Sequence, residues 1–284
     1  MRLRKLALTG VLLCFSAYPA FADSTVYNNL TPNNLMAMAS RPSSTGKIEI
    51  EAADDFVLTQ ATTITSGSFV GLLAGGTGST SIADVNVEIY RVFPLDSQDP
   101  PSGKVPTRNN SPSDVAFSER DAAANELTFS SSTLNGTFAA LNSVLNGIHP
   151  KPNQNTLGDG PVTGAETQIN FSLSSGITLP AGHYFFVPQV ELTDPSSDFY
   201  WLSASRPVSG AGTTPFPPGN TDLQAWIRNE NLDPDWLRVG TDIVGGTTPP
   251  TFNAAFELNG TVPEPSSLLL LCFALPALLV FRRR

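Results

Sequence analysis

Two pairs of aspartates are the residues of this chain best suited to chemistry. Asp54 and Asp55 are adjacent at the head of an apolar run, and Asp233 and Asp235 flank a proline farther along. Such carboxylates can ligate Ca²⁺, which takes about six to eight oxygen ligands, or hydrolyse a glycoside when they face each other about 5–9 Å apart. Neither pair has EF-hand spacing, and aspartates near turns commonly accept backbone amides in Asx-turns. We favour that structural interpretation and predict no metal site; Ca²⁺ binding and a carboxylate-dependent hydrolase stay as weaker alternatives.

Other catalytic and cofactor-binding patterns are not indicated. The Gly-x-Ser-x-Gly elbow of serine hydrolases is absent, and the two histidines, His149 and His183, have no cysteine near them to complete a zinc site. His183 opens an apolar run, where we expect a structural histidine with a backbone partner. The glycines at 75–78 resemble part of a dinucleotide loop, but strand-like alternation follows them instead of a helix, which predicts a turn. We therefore predict no catalytic residues, no cofactor and no enzyme.

Three tryptophans, Trp201, Trp226 and Trp236, lie in the aromatic segment 199–239. Exposed, coplanar rings could stack on sugar faces, whereas buried rings would supply large blocks of core. Trp201 and Trp226 have apolar neighbours and are expected in the core, while Trp236 follows a Pro-Asp dipeptide and is expected to be the most exposed. We favour the core interpretation overall and keep sugar binding by this segment as an alternative.

Apolar residues with a period of two indicate the elements that position these side chains. Val85, Val87 and Ile89 alternate with Asn86 and Glu88, which predicts a strand with one buried face and one solvent face. The same alternation recurs at 48–52, 169–173 and 252–258.

A denser apolar run at 183–187 follows a turn signal and predicts a strand buried on both faces. Long stretches rich in turn-forming residues, at 94–112, 150–164 and 206–220, predict crossing loops of one domain. The sequence therefore predicts an all-β fold, an antiparallel β-sandwich or a jelly-roll-like domain over residues 23–262.

One segment has features of a short helix and features of a non-helical stretch. Leu134, Phe138, Leu141, Leu145 and Ile148 are spaced by three and four residues, as on one face of a helix. Two Asn-Gly pairs interrupt the same stretch and favour turns. The two alternatives are evenly balanced.

The charge distribution limits the possible partners. The whole chain has 16 Lys and Arg and 25 Asp and Glu, a formal net charge of −9. Three of the basic residues lie at each end, so residues 23–262 hold 10 basic and 24 acidic side chains, a net charge of −14. Phosphate backbones and anionic lipid headgroups are repelled by such a body, which argues against nucleic acid as a partner. Divalent cations and neutral polysaccharides are compatible with it.

The first 22 residues have the organisation of a secretory signal peptide. A basic start precedes an apolar run, and Ala20 and Ala22 provide the small residues that a signal peptidase recognises, with cleavage before Asp23. Both cysteines, Cys14 and Cys272, lie in the apolar ends. We therefore expect a mature body without a disulfide or a cysteine nucleophile.

The C-terminus combines three features in a fixed order. Pro263, Glu264 and Pro265 precede an apolar stretch at 268–281, and the chain ends on basic residues, which are Arg282, Arg283 and Arg284. The prolines keep the segment extended and outside a helix. As a helix the apolar stretch would be about 21 Å long, shorter than the hydrocarbon core of about 30 Å. The arginines act as a membrane stop on the cytoplasmic side.

These features resemble the PEP-CTERM sorting signal of exosortase substrates, and the resemblance covers residues 263–284. It implies that an exosortase-like enzyme recognises the tail after transient insertion of the short transmembrane helix into the inner membrane. It also implies an anchored precursor and a mature form at the cell surface or in the extracellular matrix.

From the sequence we therefore expect an exported protein of three parts, a signal peptide at 1–22, a β-sandwich ectodomain at 23–262 and a sorting signal at 263–284. Its expected partners are signal peptidase and the exosortase-like enzyme, with extracellular polysaccharide as a further candidate and no nucleic acid. The expected role is structural or adhesive. The alternatives are a carbohydrate-binding protein that uses the segment 199–239 and, less favoured, a hydrolase.

Overall fold

The computed structural model describes residues 24–75, 81–97, 102–149, 155–205 and 222–262. The expected cleavage and sorting residues lie outside these ranges, namely Ala20, Ala22, Pro263, Glu264, Pro265, Arg282, Arg283 and Arg284. The predicted loop at 206–220 also lies outside them. Residues Asp23–Val262 form one compact unit. Within the described ranges no helix has the length and apolar character needed to cross a membrane.

The described chain is mostly β-strand, so the prediction of a β-rich fold is confirmed; its helical part is one short π-helical segment, Val239–Val244. The strands of the first half are β1 Ser24–Asn28, β2 Pro32–Ala39, β3 Ile50–Leu58, β4 Thr62–Gly75, β5 Ile82–Val92, β6 Pro112–Asp121, β7 Leu127–Ala140 and β8 Ser143–Val144. Those of the second half are β9 Val162–Leu179, β10 Gly182–Leu192, β11 Ser197–Ala204, β12 Trp226–Asn229, β13 Leu237–Arg238, β14 Asn253–Ala254 and β15 Phe256–Thr261.

The strands form two curled sheets. The nine-stranded sheet has the order β1-β15-β4-β11-β2-β8, with β9 also paired to β4, β7 paired to β9 and β14 paired to β11. The six-stranded sheet has the order β13-β12-β3-β10-β5-β6. Among the described strands the pairings are antiparallel except that of β2 with β8.

Aromatic side chains from both sheets meet in a shared core. Phe186 on β10 of the six-stranded sheet packs against several rings of the nine-stranded sheet. Its ring centroid lies 5.8 Å from Phe171, 5.9 Å from Trp201 and 5.2 Å from Phe256. Burial of such large rings supplies much of the hydrophobic stabilisation of a fold.

The six-stranded sheet is also covered over part of its other face. Every residue of β3 is buried, so this strand does not follow the period of two expected around residue 50. β10 is buried from Tyr184 to Val190, which confirms the prediction of a strand covered on both faces. The covering side chains belong to a second hydrophobic cluster, called here the apolar outer cluster, which consists of Ala53, Tyr90, Phe185, Val187, Leu223, Trp226 and Trp236.

The helical alternative for residues 134–148 is wrong. Strand β7 runs through Ala140 and pairs with β9 over most of its length, and β8 follows at Ser143–Val144. Leu134 and Leu141 are 51% and 60% exposed, so their helical spacing does not mark a buried face. Pairing with a neighbouring strand decided the conformation here, as tertiary context commonly does for short apolar patterns.

Candidate functional site

A polar depression lies on the outer face of the six-stranded sheet, the face directed away from the shared core. The alternation of β5 creates it, because Val85, Val87 and Ile89 enter the core while Asn86 and Glu88 point outward. We call it the acidic depression; its volume is about 500 Å³. Its polar lining consists of Ser43, Glu49, Glu51, Asp84, Asn86, Glu88, Tyr90, Asp114, Glu119, Asp121, Gln189, Arg228 and Asp233.

Strand register brings most of these side chains together from five neighbouring strands. Across β5, β10 and β6, Asn86 is paired with Gln189 on one side and Asp121 on the other, and Glu88 is paired with Glu119. Because these strands are antiparallel and in register, polar side chains of equal parity form continuous rows on one face. The outer face is therefore polar at this end and apolar at the end covered by the outer cluster.

Arg228 lies at the boundary between the two ends. Its guanidinium bonds both Glu51 oxygens, one of them at 3.1 Å, and its Nη1 lies 2.7 Å from Asp233 Oδ1. The guanidinium carbon lies 4.4 Å from the Trp236 ring centroid and 5.3 Å from that of Tyr90, within the range of cation–π contacts. Burial alone would lower the pKa of Arg228, but Glu51 and the other acidic neighbours raise it, so the guanidinium stays charged.

Tyr90 links the boundary to the depression through its hydroxyl. The hydroxyl donates to Glu51 Oε1 at 2.7 Å and accepts from Arg228 Nη2 at 2.9 Å. Burial, followed by the neighbouring Glu51 carboxylate, raises the pKa of Tyr90, which keeps the phenol protonated. Glu51 is therefore held by two partners in a fixed position.

The amide of Asn86 stands at the centre of the depression. Its Nδ2 lies 2.9 Å from Glu119 Oε1, 3.2 Å from Glu88 Oε1 and 3.3 Å from Gln189 Oε1. Gln189 is fully buried and donates in turn to Glu49 Oε1 at 2.9 Å. The network is dense in acceptors and has few donors.

Burial raises the pKa of several carboxyl groups of the depression. Burial, followed by repulsion from Glu51, raises the pKa of Glu88 to about 8, so this carboxyl is mostly protonated at neutral pH. Burial also raises the pKa of Glu49. The protonated Glu88 therefore lies in the same depression as Glu51, whose carboxyl group is paired with Arg228.

The predicted pair Asp54 and Asp55 is divided between the two faces of β3. Asp54 Oδ2 accepts the amide of Ala254 at 2.7 Å, and Asp55 Oδ1 accepts the amide of Leu223 at 3.1 Å. Both aspartates are fully buried. They accept backbone amides as expected, but from residues 200 and 168 positions away in the chain, so the local Asx-turn interpretation is wrong for these two bonds.

His183 lies beside this pair on β10, and its Nε2 is 2.5 Å from Asp55 Oδ2. Burial lowers the pKa of His183 to about 4, against an opposing effect of Asp222. The imidazole is therefore neutral at pH 7 and serves as a structural hydrogen-bonding group. The sequence predicted a structural role for it but did not predict Asp55 as its partner.

Asp233 and Asp235 are likewise separated. Asp233 lies at the rim of the acidic depression with 57% of its side chain exposed, paired with Arg228. Asp235 is buried, with Arg108 Nε at 3.4 Å and the backbone amide of Ser102 at 3.3 Å. Within the described ranges, no three His, Cys, Asp or Glu side chains are grouped as a metal ion would need.

The three tryptophans are all buried, with 0–1% of each residue exposed. The expectation of an exposed Trp236 is wrong, because its indole packs edge to face with Tyr90 at 5.4 Å and under Arg228, while its Nε1 donates to the Ser113 carbonyl at 3.2 Å. Trp201 and Trp226 are core residues as predicted. None of the three rings presents a face on which a sugar could stack.

The polar residues of the depression were not recognised as a site from the sequence. Asn86 and Glu88 were identified only as the solvent face of an alternating strand. The signal that could have found them is the acidic composition of that face, since Asp84, Glu88, Glu119 and Asp121 fall on the polar side of two consecutive strands. Gln189 and Arg228 lie outside this acidic pattern in the sequence and gave no such signal.

Fold and site together define the described chain as a β protein of two sheets, with a shared aromatic core and an acidic depression on one outer face. In the comparison with known proteins, no family model, no curated protein and no solved structure matches the chain.

Proposed function

We propose that the chain is an exported protein of the cell surface or extracellular matrix with a structural or adhesive role. The observation that carries this proposal is the order of sequence features at the C-terminus, where Pro263, Glu264 and Pro265 precede the apolar stretch 268–281 and the three terminal arginines. This order resembles the sorting signal of exosortase substrates. Signal peptidase would remove residues 1–22, and an exosortase-like enzyme would act on the tail after transient insertion into the inner membrane.

The body between the two ends supports this proposal by its composition and its fold. Its cysteine-free sequence is stabilised by packing, which suits a protein exported without disulfide formation. We propose that the two sheets form an antiparallel β-sandwich, supported by the aromatic contacts that join Phe186 to the rings of the opposite sheet.

A structural or adhesive role is preferred over a catalytic one for the residues predicted first. Asp54, Asp55 and Asp235 each accept hydrogen bonds from the backbone of the folded body, which is what structural carboxylates do. Sugar binding through the aromatic segment 199–239 is not favoured, because its tryptophan rings are occupied by packing inside the fold.

Intact-mass measurement on protein from the native host tests the proposal. We expect a matrix form that begins at Asp23 and lacks the residues after the 263–265 motif, and that is absent when the exosortase gene is deleted. Glu264→Ala should leave the tail in place, whereas Glu257→Ala, a change in the body outside the motif, should be processed normally. A full-length tail in both strains would contradict the proposal.

A further inference from the structure

The acidic depression holds more negative charge than its cationic neighbours balance. Eight carboxyl side chains line it, and the one lining guanidinium, Arg228, already bonds Glu51 and Asp233. Five of the eight form no ion pair with a described residue; they are Glu49, Asp84, Glu88, Glu119 and Asp121. Because partly buried charges are screened less by salt than exposed ones, a positively charged ligand would be attracted into the depression.

The strand register places two of these acidic groups in an unfavourable position. Glu88 and Glu119 are directly opposite each other on β5 and β6. Two ionised carboxylates in this cross-strand position would destabilise the sheet, and the raised pKa of Glu88 keeps that carboxyl mostly protonated near neutral pH. Asn86 Nδ2 contacts both, and Gln189 Oε1 as well, so three oxygens compete for two amide hydrogens.

The side-chain oxygen of Asn86 is a second, independent indication of a ligand. Asn86 is 8% exposed and lines the depression, and its Oδ1 has no hydrogen-bond partner among the described residues. Buried amide oxygens are nearly always paired in folded proteins, so an unpaired one calls for an explanation. A ligand with N–H or O–H donors would supply a hydrogen-bond partner for Asn86 Oδ1. It would also supply further donors for the three oxygens that share the Asn86 amide hydrogens.

Size and chemistry narrow the class of ligand. The depression has a volume of about 500 Å³, within the range of about 300–1,000 Å³ that is usual for small-molecule sites. No metal-holding group of side chains exists in the described ranges, so a bare cation is not favoured. A protonated amine provides three donors for the carboxyl groups, and ring hydroxyls can bond the amides and the rim carboxylates.

We propose that the acidic depression binds an amino sugar, with its ammonium group beside Glu88 and Glu119 and its hydroxyls directed to Asn86 and the rim. Binding of an amino sugar at this site would give the outer face of the six-stranded sheet a function that does not use the tryptophans. The ligand of the proposed adhesive protein would then be a saccharide with free amino groups. The choice of a saccharide over another amine rests on the proposed export to the surface or matrix.

Calorimetric titration of the full chain in detergent micelles tests the proposal. The probes are a β-1,4-linked glucosamine tetramer, the same tetramer fully N-acetylated, and spermidine, each at near-neutral pH and low salt. We expect binding of the glucosamine tetramer and at least about tenfold weaker binding of the acetylated tetramer, because acetylation removes the charge. Spermidine should also bind at least about tenfold more weakly, since it lacks the hydroxyls.

Matched variants locate the binding. Glu119→Gln, which removes one carboxylate and keeps the side-chain shape, should weaken binding of the glucosamine tetramer about tenfold. Glu257→Gln is the control, because Glu257 lies on β15 of the other sheet and bonds Asn28 and Asn259. The Glu257→Gln variant should bind the glucosamine tetramer with the same affinity as the unchanged chain.

Three results would overturn the proposal. The first is no binding of the glucosamine tetramer, and the second is equal binding of the tetramer by Glu119→Gln. The third is equal affinity for spermidine or for the acetylated tetramer, which would make the depression a general amine site or an unspecific one. The titration is independent of processing in the host, so failure of this proposal and failure of the sorting proposal are distinguishable.

Discussion

The outer face of the six-stranded sheet is divided into two regions that bury their side chains in opposite ways. In the apolar region, side chains of the apolar outer cluster, such as Trp226, Trp236 and Leu223, cover the sheet. The acidic depression is open enough to hold a volume of about 500 Å³, yet Glu51, Glu88 and Asn86 in it are only 4–8% exposed. The first region gains stability from burial, while the second keeps buried polar groups that are incompletely paired.

This difference separates the part of the sheet that stabilises the fold from the part that is suited to a ligand. Arg228 joins these two parts of the sheet. The plane of its guanidinium packs on the Trp236 ring, while its nitrogen atoms bond Glu51 and Asp233. Buried polar groups that lack partners are concentrated at functional sites in folded proteins. Variants on the two sides of Arg228 therefore measure how sharply the two regions differ.

The largest effect is expected in the apolar region. Trp236→Ala should lower the free energy of unfolding by about 4 kcal/mol, because it removes a fully buried indole and leaves a cavity under Arg228. Urea unfolding followed by circular dichroism measures this. Leu141→Ala, at a residue 60% exposed, is the control and should change stability by less than about 0.5 kcal/mol. Equal effects of the two substitutions would contradict the importance of the cluster.

The next effect is expected at the boundary. Arg228→Met should destabilise the chain by about 3 kcal/mol, because Glu51 is left buried without its cation. The double variant Arg228→Met with Glu51→Gln should lose less stability than the single one, since the uncompensated charge is gone. Urea unfolding of both variants checks this. A double variant that is less stable than Arg228→Met alone would show that the ion pair is not the source of the effect.

A pH-dependent effect is expected inside the depression. The pKa of Glu88 is raised from 4.5 to about 8, so the folded state holds this proton more tightly than the unfolded state. Its contribution to stability is therefore full below about pH 4.5 and is lost as the pH rises through about 8, with a slope of at most about 1.4 kcal/mol per pH unit for one proton.

Glu88→Gln should remove that slope. We expect the variant to match the unchanged chain near pH 4.5 and to become relatively more stable as the pH approaches 8. Thermal unfolding across this pH range measures the difference. Glu257→Gln should leave the pH profile unchanged, and a Glu88→Gln profile parallel to that of the unchanged chain would contradict the raised pKa.

The smallest effect is expected at the rim. Asp233→Asn removes a carboxylate whose side chain is 57% exposed, and surface ion pairs contribute about 0–1 kcal/mol. Arg228 keeps Glu51, so the boundary should stay intact. Urea unfolding should show a loss within this range. A loss as large as that of Arg228→Met would place Asp233 within the buried network instead of at its rim.

The sequence predicted the strands better than it predicted the site. The alternation of Val85, Val87 and Ile89 and the dense run at 183–187 were sufficient to indicate strands, because side-chain direction along a strand depends on local periodicity. Residues 134–148 show the limit of this reasoning, since two local patterns overlapped there and pairing with β9 decided between them.

The candidate site was not predicted because its residues are distant in the chain. Glu51, Glu88, Glu119 and Arg228 come from four strands, and only strand order and register bring them to one depression. The prediction for Trp236 is wrong for the same reason. The Pro-Asp dipeptide before it indicated a turn, but the Tyr90 ring and the Arg228 cation that cover it come from β5 and β12. Local composition does not reveal such neighbours.

Composition and periodicity alone were enough to predict an acidic, β-rich body, and the proposal of an exported protein with a sorting signal comes from the resemblance of residues 263–284 to a known signal. Net charge is a sum over residues, and targeting signals are recognised as short linear segments, so neither needs a fold to be read. The separation of Asp54 from Asp55, the burial of Trp236 and the pairing of Glu88 with Glu119 were decided by the tertiary structure. These depend on which strands become neighbours, and that is determined by long-range packing of the whole chain.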